Sequence, residues 1–252
     1  MAQPTLLLAG GFAIASAMAF AFAGSTVVRR EHEGELARAN NMFALWWYAL
    51  SASTALGGIQ SLSAGLGVTS IGVWTYATYA NLLLICAALW GLLYYLVYLF
   101  TGKSEFYTPL GGFYVVYFLW LLYYITSADP IGVDVQRWGT ELIYARPLQG
   151  TLLTITLLLL LIPQIVGALA YATVYFRLRE PAKRFRVVLV SASIFVWFTS
   201  SLLASLSGLN EVDWWQLVSR TIGLTAALLV ILAYRPPEVL KRRWRTRAAQ
   251  AP

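Results

Sequence analysis

A single guanidinium, Arg220, lies inside the otherwise oily stretch Asp213 to Arg235, DWWQLVSRTIGLTAALLVILAYR. An arginine at the centre of a membrane helix costs about 2.5 to 3.5 kcal/mol on insertion scales, so it is kept where a partner, water or a ligand meets it. Gln216 shares its face one turn away, while Asp213 is two turns up and roughly 10 Å off by helical rise, too far for direct contact. A guanidinium flanked by an amide and by the phenol of Tyr124 suits a carboxylate or another anionic head group. Other polar and aromatic residues fall at the same depth: Asn81, Gln60, Trp120, Ser201 and Ser205. All eleven acidic residues lie in loops or at helix ends, so a carboxylate partner for Arg220 has to come from Glu211, Asp213, Asp129, Asp134 or Glu141.

Other chemistries are poorly supplied. His32 is the sole histidine and sits in a charged loop, so paired haem ligation is excluded, and no cluster of histidine and carboxylate is available for a catalytic metal. No Ser, His and Asp set lies within the apolar segments, and an enzymatic role is not expected. Cys86 is the only cysteine, mid-helix, and reads as a small buried hydrophobe. A retinal Schiff base needs a lysine inside the last helix, whereas Lys103, Lys183 and Lys241 all fall outside the apolar runs. The expectation is a protein with no cofactor and no nucleic-acid partner, whose ligand is a small anionic molecule.

The elements that must hold these residues are helices in lipid. The chain has 252 residues, of which 59% are hydrophobic and only 12% charged, against about 25% charged in a soluble domain. Six apolar runs, at about 5–28, 41–64, 73–101, 108–127, 148–176 and 186–208, the last opening on Arg186 and otherwise uncharged like the rest, precede the segment that carries Arg220, and each approaches the ~20 residues a span requires. The expected fold is therefore all-α, a seven-helix transmembrane bundle over residues 1–234 followed by a basic tail, 235–252. Of the 18 basic residues, Arg29, Arg30, Arg38, Lys103, Arg177, Arg179, Lys183, Arg184, Arg186 and six from Arg235 onward occupy one set of alternating segments, leaving Arg137 and Arg146 on the other side. The positive-inside bias then puts the amino terminus outside and the carboxyl terminus in the cytoplasm. Residues 15–25, ASAMAFAFAGS, offer an A-x-A signal-cleavage pattern, but they lack a basic leading region, and cleavage would put the basic tail outside.

Within the bundle, Gly10, Gly11, Ala15 and Ala19 give helix 1 a flat surface. Ser53, Gly57, Ser61 and Gly65 recur every four residues in helix 2, the spacing of a tight helix seam; the alternative is that Gln60 and Ser61 line a cavity beside it. Trp90, Tyr94, Tyr95 and Tyr98 at the inner end of helix 3 read as an interfacial belt. Phe113, Tyr117, Trp120 and Tyr124 share one face of helix 4. The loop after helix 4, SADPIGVDVQRWGTELIYARPLQG, is the only long outer segment, and its WGTELIY stretch could lie over the bundle mouth as a lid. Pro163 removes a backbone hydrogen bond from helix 5 next to Gln164 and is expected to kink it.

The segments YATVYFRLREPAKRFRVVLVSASIF and LTAALLVILAYRPP resemble, in layout, the end of the seven-helix sensory region at the amino terminus of some bacterial histidine kinases. The shared features are an aromatic end to helix 5, an Arg-rich loop and a last helix closing on Ala-Tyr-Arg. The resemblance covers about a third of the chain and implies a sensor or receptor in the bacterial inner membrane. The 18 residues after Tyr234 leave no room for a kinase, so a sensor of this kind is expected to act through a cytoplasmic or membrane protein partner. A small-molecule transporter and a structural subunit of a membrane complex are the competing functions. The Pro163–Gln164 pair speaks for a transporter, but helix 1 carries no matching pair and no internal repeat is visible.

Overall fold

A computed structural model describes residues 3–28, 34–137, 139–146, 150–210 and 214–242. Among them are seven α-helices: α1 Pro4–Val28, α2 Gly34–Gly65, α3 Ile71–Thr101, α4 Tyr107–Ser127, α5 Gly150–Arg177, α6 Pro181–Asn210 and α7 Trp214–Tyr234. The fold is all-α apart from one hairpin, β1 Pro130–Val135 and β2 Thr140–Tyr144. Five helical segments among the described residues are long and apolar enough to cross a membrane: Pro4–Val28, Leu36–Gly65, Ile71–Thr101, Tyr107–Ser127 and Leu217–Arg242. This is a membrane-embedded protein, since surfaces as oily as these need lipid to cover them.

Packing closes a ring. α1 lies between α2 and α7, α2 packs on α3, α3 on α5, α5 on α6, and α6 on α7. α4 stands outside the ring against α3; 22% of its apolar window is buried, against 44% for α1, α2 and α3.

The tightest seam joins α1 to α2, and glycine makes it. A Cβ on Gly10 would meet Leu62 Cγ at 2.6 Å and the Gly58 carbonyl at 2.9 Å, and one on Gly58 would meet Ala13 Cβ at 3.2 Å. Gly57 and Gly11 face open space. The seam therefore runs through Gly58 and not through the four-residue series Ser53, Gly57, Ser61. Only Gly65, packed on Leu6 and Leu7, serves the seam as expected from that series. One residue of helix is about 100° of rotation, so the Ser53 face is turned off the seam and into the ring.

The half of the ring farther from the hairpin is filled with aromatic rings. Phe43 stacks on Tyr95 at 4.4 Å, Trp46 lies 4.3 Å from Trp47, and Trp197 meets Trp46 edge-on at 5.7 Å. Trp46, Trp47 and Tyr94 are fully buried and Tyr95 nearly so. Tyr94 and Tyr95 thus belong to the core and not to an interfacial belt, because Phe43 of α2 and Tyr171 of α5 cover Tyr95 and Tyr107 of α4 covers Tyr94. Four arginines at this end sit over rings of neighbouring helices: Arg38 over Tyr107, Arg184 over Tyr175, Arg186 over Tyr234 and Arg235 over Phe22, at 4.8 to 5.8 Å.

Pro163 lies inside α5. The adjacent Gln164 is fully buried, and its Nε2 donates to the Leu89 carbonyl at 3.0 Å and to Tyr114 Oη at 2.9 Å. Gln164 ties α5 to α3 and α4, the work of a structural side chain.

Candidate functional site: a polar cavity under a hairpin

The loop after α4 folds as an antiparallel hairpin, with Val133 opposite Leu142 and Asp134 opposite Glu141. Strands alternate their faces, so Val133, Val135 and Leu142 turn together onto Leu6 of α1, Ala64 of α2 and Trp74 of α3. Trp74 Nε1 donates to Thr140 Oγ1 at 3.2 Å and pins the second strand. At the base of the hairpin, Ala145 N donates to the Asp129 carbonyl at 2.8 Å. An element over the mouth of the bundle is what the sequence led us to expect there, and it is built of strands.

Beneath the hairpin lies a cavity of about 470 Å³, within the 300 to 1,000 Å³ typical of small-molecule sites. α2 contributes Ser53, Thr54 and Gly57, α3 contributes Asn81 and Ile85, α6 contributes Trp197 and Ser200, and α7 contributes Ser219, Arg220 and Gly223. Ala13, Ser16 and Phe20 of α1 complete the wall with Leu50, and Thr140 and Glu141 of the hairpin border it.

Arg220 is held from α1 and α2. Its Nη1 donates to the Ala9 carbonyl at 2.9 Å, and Nη2 makes a longer contact of 3.4 Å with Ser61 Oγ. A guanidinium has five N–H donors, so these two bonds leave three without a partner among the described residues. No carboxylate lies within ion-pair distance of Arg220 among the described residues. The charge is fixed in place by neutral groups, with no counter-ion among the described residues.

Neighbouring polar groups are similarly braced. Ser53 Oγ donates to Asn81 Oδ1, which leaves the amide donors of Asn81 free of that bond. Ser200 and Ser219 lock α6 to α7 reciprocally: Ser200 Oγ donates to the Ser219 carbonyl at 2.6 Å, and Ser219 Oγ to the Ser200 carbonyl at 2.9 Å. On the hairpin, Glu141 is half-buried, and burial, with the like charge of Asp134 opposite, pushes its carboxyl above the usual range.

Of the residues singled out in the sequence, the structure brings Arg220 and Asn81 together in this cavity. Gln60 is half-buried on α2 and is not part of the lining. Trp120 and Tyr124 are also outside it. They stack on each other at 5.7 Å in a ladder with Tyr117 and Phe113, along the helix that lies outside the ring. Gln216, Ser201 and Ser205 lie in helices whose side chains are not described there, and Glu211, Asp213 and His32 lie outside the described residues. The lining residues that sequence reasoning missed are Ser53, Thr54, Ser200, Ser219 and Trp197. Spacing could have found some of them, since Trp197 and Ser200 are three apart on one helical face and Ser219 adjoins Arg220.

Comparison with protein-family models, with curated proteins and with solved structures finds no match for this chain. The functional reading therefore rests on the cavity and on the placement of charge.

Proposed function

We propose that the protein is a seven-transmembrane sensor or receptor of the cell membrane that binds a small carboxylate-bearing ligand in this cavity and passes the binding event to a partner protein. The observation that carries the reading is Arg220, braced by Ala9 and Ser61 on the wall of a cavity that contains no counter-ion for it within ion-pair distance among the described residues. Such a charge in a lipid-surrounded ring costs several kcal/mol unless something meets it, and the bracing reduces the entropy a ligand must offset on binding.

In this reading all seven helices span the membrane, with the amino terminus outside and the tail in the cytoplasm. The excess of Lys and Arg on alternate segments supports that orientation. The cavity then opens toward the outside, under a hairpin that a ligand must pass. Helices α1, α2, α6 and α7 all contribute to the wall, so a ligand drawn onto Arg220 pulls on elements that reach the cytoplasmic side, where Arg186 and Arg235 lie over rings of α7 and α1.

Binding of short carboxylates such as butyrate to the purified chain, followed by calorimetry, tests the reading. Arg220→Gln is expected to remain folded and to lose binding, and Arg220→Lys to recover only part of it, because an ammonium lacks the planar fork. Equal binding by wild type and Arg220→Gln would contradict the assignment. A tag after Pro252 that reacts only from outside would overturn the orientation.

A further inference from the structure

The cavity holds two charges of opposite sign that do not meet. Arg220 stands on α7 with neutral partners only among the described residues. Glu141 borders the same cavity from the hairpin, on the strand face opposite Val133 and Leu142, and its carboxylate makes no ion pair or hydrogen bond among the described residues. Its cross-strand neighbour is Asp134, a second acid. Like charges directly opposite destabilise a strand pair, and Asp134 is exposed and takes a hydrogen bond from Gln136 Nε2 at 3.3 Å. Glu141 is the member of the pair drawn under cover and left without a cation.

A carboxylate and a guanidinium bordering the same cavity without a counter-ion among the described residues each carry a desolvation cost that an opposite charge relieves. A simple anion relieves one of them. A molecule carrying both signs relieves both, with its carboxylate on the Arg220 fork and its ammonium toward Glu141. The space between has polar sides from Ser53, Asn81 and Ser200 and an apolar floor from Phe20 and Trp197, which suits a short aliphatic linker. Resting on the reading of Arg220 as the carboxylate anchor, we propose that the ligand is a small zwitterion of the amino-acid type, recognised at its carboxylate by Arg220 and at its ammonium by Glu141.

The test is a titration of the full chain in lipid nanodiscs with the ω-amino acids glycine, β-alanine and γ-aminobutyrate, each against the plain acid of equal length. At least one amino acid should bind tighter than its plain counterpart by about tenfold or more, the worth of one charge-assisted hydrogen bond. Glu141→Gln should abolish that preference while leaving the plain acid bound, Glu141→Asp should retain it, and Arg220→Gln should lose both ligands. Unfolding temperatures for each variant separate these effects from misfolding, and Glu141→Asp tests the charge with the fold conserved. If butyrate binds as tightly as γ-aminobutyrate and Glu141→Gln changes no ratio, the zwitterion assignment falls and the anion pocket stands. If wild type binds neither series, both fall.

Discussion

The two halves of the ring solve opposite problems with the same helices. Toward the basic end, Phe43, Trp46, Trp47, Tyr95 and Trp197 fill the space between α2, α3 and α6, and arginines close the rim by lying over rings. Toward the hairpin, the same helices carry serine, threonine, asparagine and glycine, and the space between them stays open. Large rigid side chains fix the helices where they are packed, and that rigidity is what lets the other half keep an unfilled cavity without collapsing. The proposed function sits where the packing stops.

This contrast can be broken from either side, and the largest effect is expected in the filled half. Trp46→Ala removes a fully buried indole with three ring neighbours and should cost about 3 to 5 kcal/mol in stability, read as a large fall in the thermal midpoint. Trp120→Ala, on the ladder of the outlying helix, should fall well short of that and leave ligand binding intact.

The next test separates two adjacent glycines. Gly58→Leu drives a side chain into Ala13 and Ile14 across the α1–α2 seam and should destabilise by at least the ~1 to 3 kcal/mol of an overpacked core. Gly57→Leu points into the cavity, where nothing lies within 4 Å of its Cβ, and should leave the fold stable while blocking binding. Equal destabilisation by the two would mean that the seam runs through both faces.

A smaller effect is expected from pH. The carboxyl of Glu141 titrates above the ordinary glutamate range, because burial and then Asp134 disfavour its charge. Its other neighbours are Tyr144 on its own strand and Arg220 across the cavity; the flanking parts of α2 and α3 supply Ser53, Thr54 and Asn81, which do not titrate. An ammonium needs the ionised form, so affinity for an ω-amino acid should rise as pH rises through that raised value and fall as pH drops below it. Glu141→Gln should flatten the profile. Outside the bundle, the tail is tested separately: changing Arg242, Arg243, Arg245 and Arg247 to Gln should weaken binding to anionic liposomes by about 1 kcal/mol per charge and leave neutral ones unaffected.

What was legible in the sequence follows the same division. Helix positions were readable because lipid demands long apolar runs, and each expected run lies within a few residues of a helix. Arg220 and Asn81 were readable because deep polar groups are rare. Trp120 and Tyr124 misled, since periodicity places residues on a common face without saying which way the face turns, and α4 sits outside the ring. The Ser53 series had the right period and the wrong role for the same reason, with Gly58 one position away taking the seam. The hairpin was anticipated as a cover but not as strands, because alternation in PIGVDV and TELIY is short and interrupted by Gly132. Glu141 was identified among the acids able to approach Arg220, yet its place on the cavity border depends on the strand register, which no local pattern declares.

The central claim, an outward-opening cavity at the Arg220 level above a closed aromatic half, is tested most directly by thiol accessibility in intact cells. In a Cys86→Ala background, Ser53→Cys is expected to react with a membrane-impermeant thiol reagent added outside, to be protected by a bound carboxylate, and to be silent when the reagent is applied only from the cytoplasmic side. Trp46→Cys should be silent from both sides. Labelling of Ser53→Cys from the cytoplasmic side alone, or of neither face, would contradict the account.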